Sequence, residues 1–295
     1  MLYLSGKYEK DFHPMLYLIL AVLASSAVAI IMRFGEKHIK NNFAMFASNY
    51  IVCSTIAFLF MKDKNIFVYR EGLPFTLILG LISGCLYLTC FVLMKFNISK
   101  NGVMLSTVFM KLGVLVPAIM AVAVFRETPS VFQILGFVIA VAAIIIINLS
   151  PSEKEKGSKK TVVFLLLLLV VSGLTESMAN IYDKAGSPDL KDNFLFFNFV
   201  TAFVAAVVMT VIKRKPISWK DILFGVLIGV PNYFASRFLL LSLGSIPAVV
   251  VYPIYNIGAI VLVGIAGLLL FREKLSARKY VGFGLIAAAL VLLNL

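Results

Sequence analysis

Ten apolar stretches, each close to 20 residues long, divide this chain at 15–32, 43–61, 74–94, 102–125, 131–149, 161–182, 194–212, 222–243, 246–271 and 280–295. A helix of about 20 apolar residues crosses the roughly 30 Å of bilayer hydrocarbon. In lipid each backbone N–H and C=O needs an internal partner, so an apolar segment of this length crosses as a helix. The gaps are short and carry Gly, Pro, Asn, Ser and charge, as turns do. The expected fold class is an all-α polytopic membrane protein with ten transmembrane helices.

Composition agrees. The chain is 61% hydrophobic and 14% charged, whereas soluble domains are about 45–50% apolar and about 25% charged. The formal charge of +13 does not mark a nucleic-acid binder, because the basic residues sit almost entirely in the gaps, where Lys and Arg set membrane orientation. Cys53, Cys85 and Cys90 lie inside apolar stretches without a CxxC pattern. They read as small packing residues. His13 and His38 stand apart, and no cluster has metal-ligand spacing. No cofactor is expected, and no cleavable signal peptide is read at the N-terminus.

The longest connector, residues 150–160, is polar and lies near the middle of the chain. On either side the sequence repeats itself. Phe125-Arg126-Glu127 recurs as Phe271-Arg272-Glu273, Ser130 as Ser276, Gly136-Phe137 as Gly282-Phe283, and Asn148-Leu149 as Asn294-Leu295, all at an offset of 146. Gly80, Gly84 and Gly113 pair with Gly225, Gly229 and Gly258 at an offset of 145. The expected organisation is a five-helix repeat over 15–149, a linker over 150–160 and a second five-helix repeat over 161–295. Five crossings are odd, so the second repeat is inverted, as in many secondary transporters.

The gaps between segments 1–2, 3–4, 5–6, 7–8 and 9–10 hold 17 of the 27 Lys and Arg residues. By the positive-inside rule that face is cytoplasmic and both termini lie outside.

The ten-helix duplication, the Arg-Glu pair closing segments 4 and 9, and the Gly-Phe, small-residue segments 5 and 10 together resemble the drug/metabolite transporter superfamily, in its EamA-type branch. The resemblance covers the chain from Met15 onward. It departs from the family's usual Gly-Glu at Arg126-Glu127 and Arg272-Glu273. It implies alternating access around a central cavity lined mainly by helices 1, 3, 4, 6, 8 and 9. It also implies movement of amino acids, metabolites or drugs, and cytoplasmic termini, opposite to the charge count.

An ionisable side chain deep in hydrocarbon costs about 2.5–3.5 kcal/mol on insertion scales, so it persists where it is paired or wetted. Lys111, nine residues into segment 4, sits roughly 14 Å deep by a 1.5 Å rise per residue. Its repeat counterpart is Asn256, with Tyr252 one turn before. Lys111 either attracts a carboxylate or phosphate or serves as a structural lysine that snorkels or pairs with Glu176. Pro117 and Pro253 are positioned to break these two helices. Glu176 lies on a polar stripe with Ser172 and Asn180 at helical spacing. Glu176 and Arg237, with Tyr233 one turn before it, have matching depths, so an ion pair between segments 6 and 8 is expected, either as a structural bridge or as a gate.

Further candidates for hydrogen bonds to a solute are Ser25, Ser26, Tyr87 and Tyr255. Gly136, Ala140, Ala143, Gly282 and Ala287 suit close helix packing, with a homodimer as a further use of the same faces.

The expectation is a secondary transporter in the cell membrane that moves a small polar or anionic organic solute. Lys111, Asn256, Tyr252, Tyr255, Tyr87 and Ser26 would bind it, and Glu176, Arg237 and Asn180 would couple or gate. The alternative is an exporter of cationic drugs or polyamines with Glu176 as the binding anion. No hydrolytic triad, histidine cluster or HExxH is present, so an enzyme is not expected.

Overall fold

The computed structural model describes residues 2–61, 64, 66, 68–116, 130–148, 159–243, 245–246, 248–273 and 277–293. Ten α-helices and no strand occur among them: α1 (Leu2–Gly35), α2 (Asn42–Phe60), α3 (Leu73–Asn101), α4 (Val103–Lys111), α5 (Val131–Asn148), α6 (Lys159–Ala185), α7 (Lys191–Lys213), α8 (Trp219–Leu243), α9 (Ala248–Leu269) and α10 (Ala277–Leu293). Of these, α1, α2, α3, α6, α7 and α8 each contain a stretch long and apolar enough to cross a membrane. Shorter apolar helical stretches lie at Val103–Val114, Val131–Ala143, Ile254–Leu269 and Tyr280–Leu292. Lipid-type side chains cover the outside: Val131, Phe132, Ile134, Leu135 and Val138 of α5, and Ile222, Leu223, Val226 and Val230 of α8, are all exposed. A water-soluble chain rarely exposes so large a contiguous apolar surface. The protein is a multi-pass helical membrane protein.

The main packing pairs have a regular pattern. Helix α1 packs on α8 and α9, and α6 packs on α3 and α4; α2 packs on α7 and α8, and α7 on α2 and α3; α4 meets α9, and α5 meets α10. Exchanging each helix with the one five places away returns the same set. The glycines paired in the sequence take part. A Cβ on Gly84 of α3 would collide with Asn198 and Thr201 of α7, and one on Gly229 of α8 with Asn49 and Val52 of α2. These are close backbone approaches that small residues permit. Within α5 and α10, Ala140, Ala143 and Ala289 are wholly buried in one apolar cluster, which is the intrachain use of those small residues.

Helix boundaries differ from the apolar stretches in two places that matter. Helix α3 continues past residue 94 to Asn101, so Lys95 is not a loop residue; it is buried, and its Nζ donates to the Met32 carbonyl at 3.1 Å. It therefore leaves the tally of orienting loop charges. Helix α4 gives way to a 3-10 turn at Leu112–Val114 directly after Lys111. The Ser172 hydroxyl of α6 donates to the Met110 carbonyl at 2.8 Å, beside the contact of Gly113 with Gly173. A side-chain donor on a helix carbonyl loosens the i to i−4 ladder, and a tighter turn follows. Pro117, Arg126, Glu127 and the linker 150–158 lie outside the described residues, as do the Pro253 and Asn148 side chains.

Where α3 turns into α4, Gly102 takes φ +82, a conformation that L side chains rarely adopt. Glu273 occupies the space that a side chain at Gly102 would fill. Its carboxylate accepts from the backbone N–H of Val103 at 2.8 Å and of Met104 at 3.3 Å, capping α4. It also lies 3.5 Å from Arg33 Nε, and Arg33 in turn bonds Glu36 and the Ile98 carbonyl. The loop after α9 is thus tied to α1, α3 and α4 on one face of the bundle. An anion at a helix N-terminus is favoured by the unpaired N–H groups there.

Candidate functional site

One cavity of about 120 Å³ opens between α3, α4, α6, α7, α8 and α9. A cavity of ~150 Å³ holds a benzene-sized molecule, so this one suits a solute of a few heavy atoms. Its wall is mostly apolar, from Cys90, Phe91, Met110, Leu195, Leu239 and Leu243. The polar groups are few and come from different helices.

Lys111 is 3% exposed. Its Nζ stands 3.7 Å from the centre of the Tyr255 ring and 3.3 Å from Ser25 Oγ, to which it donates. Among the described residues no carboxylate is in ion-pair contact with it. Glu176 lines the same cavity and feels the Lys111 charge, yet its Oε2 is buried without a hydrogen-bond partner among the described residues. The Lys111 ammonium and the Glu176 carboxyl group therefore share the space without joining directly.

Tyr87 and Tyr252 also line the cavity. The Tyr87 hydroxyl and Ser236 Oγ are 2.9 Å apart, linking α3 to α8 across the wall. Five of the sequence candidates thus meet here: Lys111, Glu176, Tyr87, Tyr252 and Tyr255.

The others are placed differently. Ser26 is not at the cavity; its hydroxyl donates to the Val22 carbonyl of its own helix at 2.8 Å, and Ser25, one residue earlier, supports Lys111. Asn256 is fully buried, and neither its amide oxygen nor its nitrogen has a hydrogen-bond partner among the described residues, but it is not in the cavity wall. The Asn180 side chain lies outside the described residues.

The ion pair expected between Glu176 and Arg237 does not form. Arg237 Nη1 donates to Asp192 Oδ1 at 2.7 Å and to the Tyr233 hydroxyl at 2.9 Å, with its guanidinium 4.3 Å from the centre of the Phe60 ring. Equal depth does not fix the direction in which a side chain leaves its helix. Arg237 is six residues from the end of α8, about 9 Å along its axis, and its long side chain reaches the first turn of α7, where Asp192 sits.

The sequence reading also missed groups. Helix α7, absent from the family's expected lining, contributes Phe194, Leu195 and Asn198, while α1 contributes only the support from Ser25. The sign in the sequence was a lone asparagine within the aromatic run 194–199. Ser83, Thr175 and Ser236 add further hydroxyls to the wall.

Residues 13–149 match the family model described as the EamA-like transporter family. Over that stretch, a little under half of its length, the chain is similar to EamA-like transporters. Residues 193–286 match a second model, described as Small Multidrug Resistance protein. An uncharacterized protein of Haemophilus influenzae is 25% identical over 275 residues, covering 90% of this chain and 92% of its own length. A solved crystal structure, described only as that of a protein, superposes with a TM-score of 0.62 at 13% identity over 95% of both chains; that likeness concerns the fold alone. The EamA-like match points to a membrane transporter of small solutes.

Proposed function

We propose that this EamA-type chain is a secondary transporter of the cell membrane that carries a small polar or anionic organic solute by alternating access. The observation that carries the reading is the setting of Lys111. A buried ammonium costs about 2.5–3.5 kcal/mol in a membrane interior. A desolvated aromatic face returns about 2 kcal/mol and a neutral hydroxyl about 1. What the ring and Ser25 leave unmet is a negative partner in a cavity large enough for a small solute. A carboxylate or phosphate on the solute supplies it, with Tyr252, Tyr255 and Tyr87 bounding its body. Glu176, whose Oε2 has no partner among the described residues of the same cavity, is placed to couple a second charge or a proton to the cycle.

The packing pattern, symmetric under exchange of the two halves, supports an inverted duplication of residues 15–149 and 161–295 about the linker. In such an arrangement the two faces of the cavity open in turn as the halves rock. The Glu273 tie on one face is a contact that such a motion would break.

The purified protein in liposomes tests the reading. Entry or counterflow of labelled carboxylates, phosphates and amino acids is measured beside that of organic cations of similar size. Transport of the first group supports the proposal. Transport restricted to organic cations supports the second reading, a cation exporter anchored on Glu176, which the Small Multidrug Resistance match favours.

A further inference from the structure

Asn198 is 2% exposed, lies in the cavity wall, and its Oδ1 has no hydrogen-bond donor among the described residues. A buried acceptor without a partner is unusual and calls for an explanation. The molecule supplies a comparison for it. Asn49 on α2 is placed as Asn198 is on α7: the backbone of Asn49 is closely approached by Gly229 of α8, as that of Asn198 is by Gly84 of α3. Three residues after Gly229 comes Asn232, whose Nδ2 donates to Asn49 Oδ1 at 3.2 Å. Three residues after Gly84 comes Tyr87, whose hydroxyl is engaged with Ser236 instead. The donor that satisfies Asn49 Oδ1 has no equivalent for Asn198 Oδ1 among the described residues, and the cavity lies there instead.

Two acceptors therefore face this cavity without donors, Asn198 Oδ1 and Glu176 Oε2. The ammonium of Lys111 stands in the same cavity with a ring and one hydroxyl as its neighbours. Acceptors need an N–H or O–H donor, and of these a cationic N–H group also suits the Glu176 carboxylate, while the ammonium needs an anion. We infer that Asn198 is a specificity-determining residue of the solute site, accepting a hydrogen bond from an N–H group of the solute while Lys111 takes its anionic group. The solute class is then a compact molecule bearing both, an aminocarboxylate with a small apolar remainder matched to Cys90, Phe91 and Leu195. This rests on the carrier reading above and narrows it. A site built to receive N–H donors rejects an analogue that lacks them, because its buried acceptors are left unpaired.

The test compares pairs that differ by the amino group: alanine with propionate, and valine with isovalerate. Binding of each to the full chain in detergent is measured by calorimetry. The wild type is expected to prefer the amino member of at least one pair by about tenfold or more, the range of one hydrogen bond to a charged group. In Asn198→Ala that preference shrinks several-fold. Tyr87→Asn, which restores an amide donor in the position that Asn232 holds on the other side, shrinks it as well with Asn198 still present. Where Asn198→Ala does not fold, Tyr87→Asn decides. A wild type without preference within any pair, or a preference that survives in the folded variants, overturns the role of Asn198 and leaves the carrier reading standing. A wild type that binds neither member of any pair, and transports no anionic solute, overturns both.

Discussion

Replacing Lys111 with Met removes one buried ammonium and keeps an unbranched side chain of similar reach. The ammonium lies 3.7 Å from the Tyr255 ring centre and 3.3 Å from Ser25 Oγ. Its burial costs about 2.5–3.5 kcal/mol, the ring contact returns about 2 kcal/mol, and the hydroxyl adds about 1 kcal/mol. These nearly cancel, so Lys111→Met should change the unfolding free energy by no more than about 1 kcal/mol. Solute binding should respond differently. A hydrogen bond to a charged partner contributes about 1.5–3 kcal/mol, which corresponds to a Kd weaker by about 10–150-fold. Thermal unfolding in detergent and calorimetric titration with a transported carboxylate or amino acid measure the two effects on the same sample. A variant that keeps wild-type affinity refutes the role of Lys111 in binding. One that loses more than about 3 kcal/mol of stability shows instead that the lysine holds the fold.

A Cβ at Gly229 would come within 2.7 Å of the Asn49 carbonyl oxygen and 2.8 Å of Val52 Cβ, whereas nothing lies within 4 Å of one at Gly284. Gly229→Ala should therefore destabilise by about 1–3 kcal/mol, and Gly284→Ala should be neutral or stabilising by up to about 1 kcal/mol through helix propensity, both read from melting curves. Arg237 and Asp192 are partly exposed, so a double-mutant cycle with Arg237→Met and Asp192→Asn should give a coupling of about 1 kcal/mol at most; a coupling of several kcal/mol would mean a dry, sealed pair. Glu273→Ala leaves the Val103 and Met104 N–H groups uncapped and should loosen that face by about 1–2 kcal/mol. Maleimide labelling of a cysteine placed at Met104, which is 8% exposed, should then speed up by about 5–30-fold, and equal labelling rates would show that the tie does not hold this face shut.

Much of this protein is legible in one dimension. The count of apolar residues sets how many helices there are and that lipid surrounds them. Counting residues from a helix start sets depth, which is how Lys111 and Glu176 were singled out as interior charges. The recurrence of Gly84 as Gly229 suggested a repeat, and in the structure both glycines sit at close helix approaches, α3 on α7 and α8 on α2.

Depth, however, is only one coordinate. Each residue turns about 100° around its helix axis, so Ser25 supports Lys111 while Ser26 faces its own backbone, and Arg237 meets Asp192 although Glu176 lies equally deep. Which faces meet is settled by how the helices close on one another, at glycines and small residues whose partners lie far away in the chain. That closure put Asn198 into the cavity wall and left it without the donor that its counterpart Asn49 has. Hydropathy and spacing determined the solvent, the apolar helical segments and the interior placement of Lys111 and Glu176. Tertiary packing alone decided which of those charges share a cavity, because azimuth and neighbour are properties of helix pairs and are not written along a single helix.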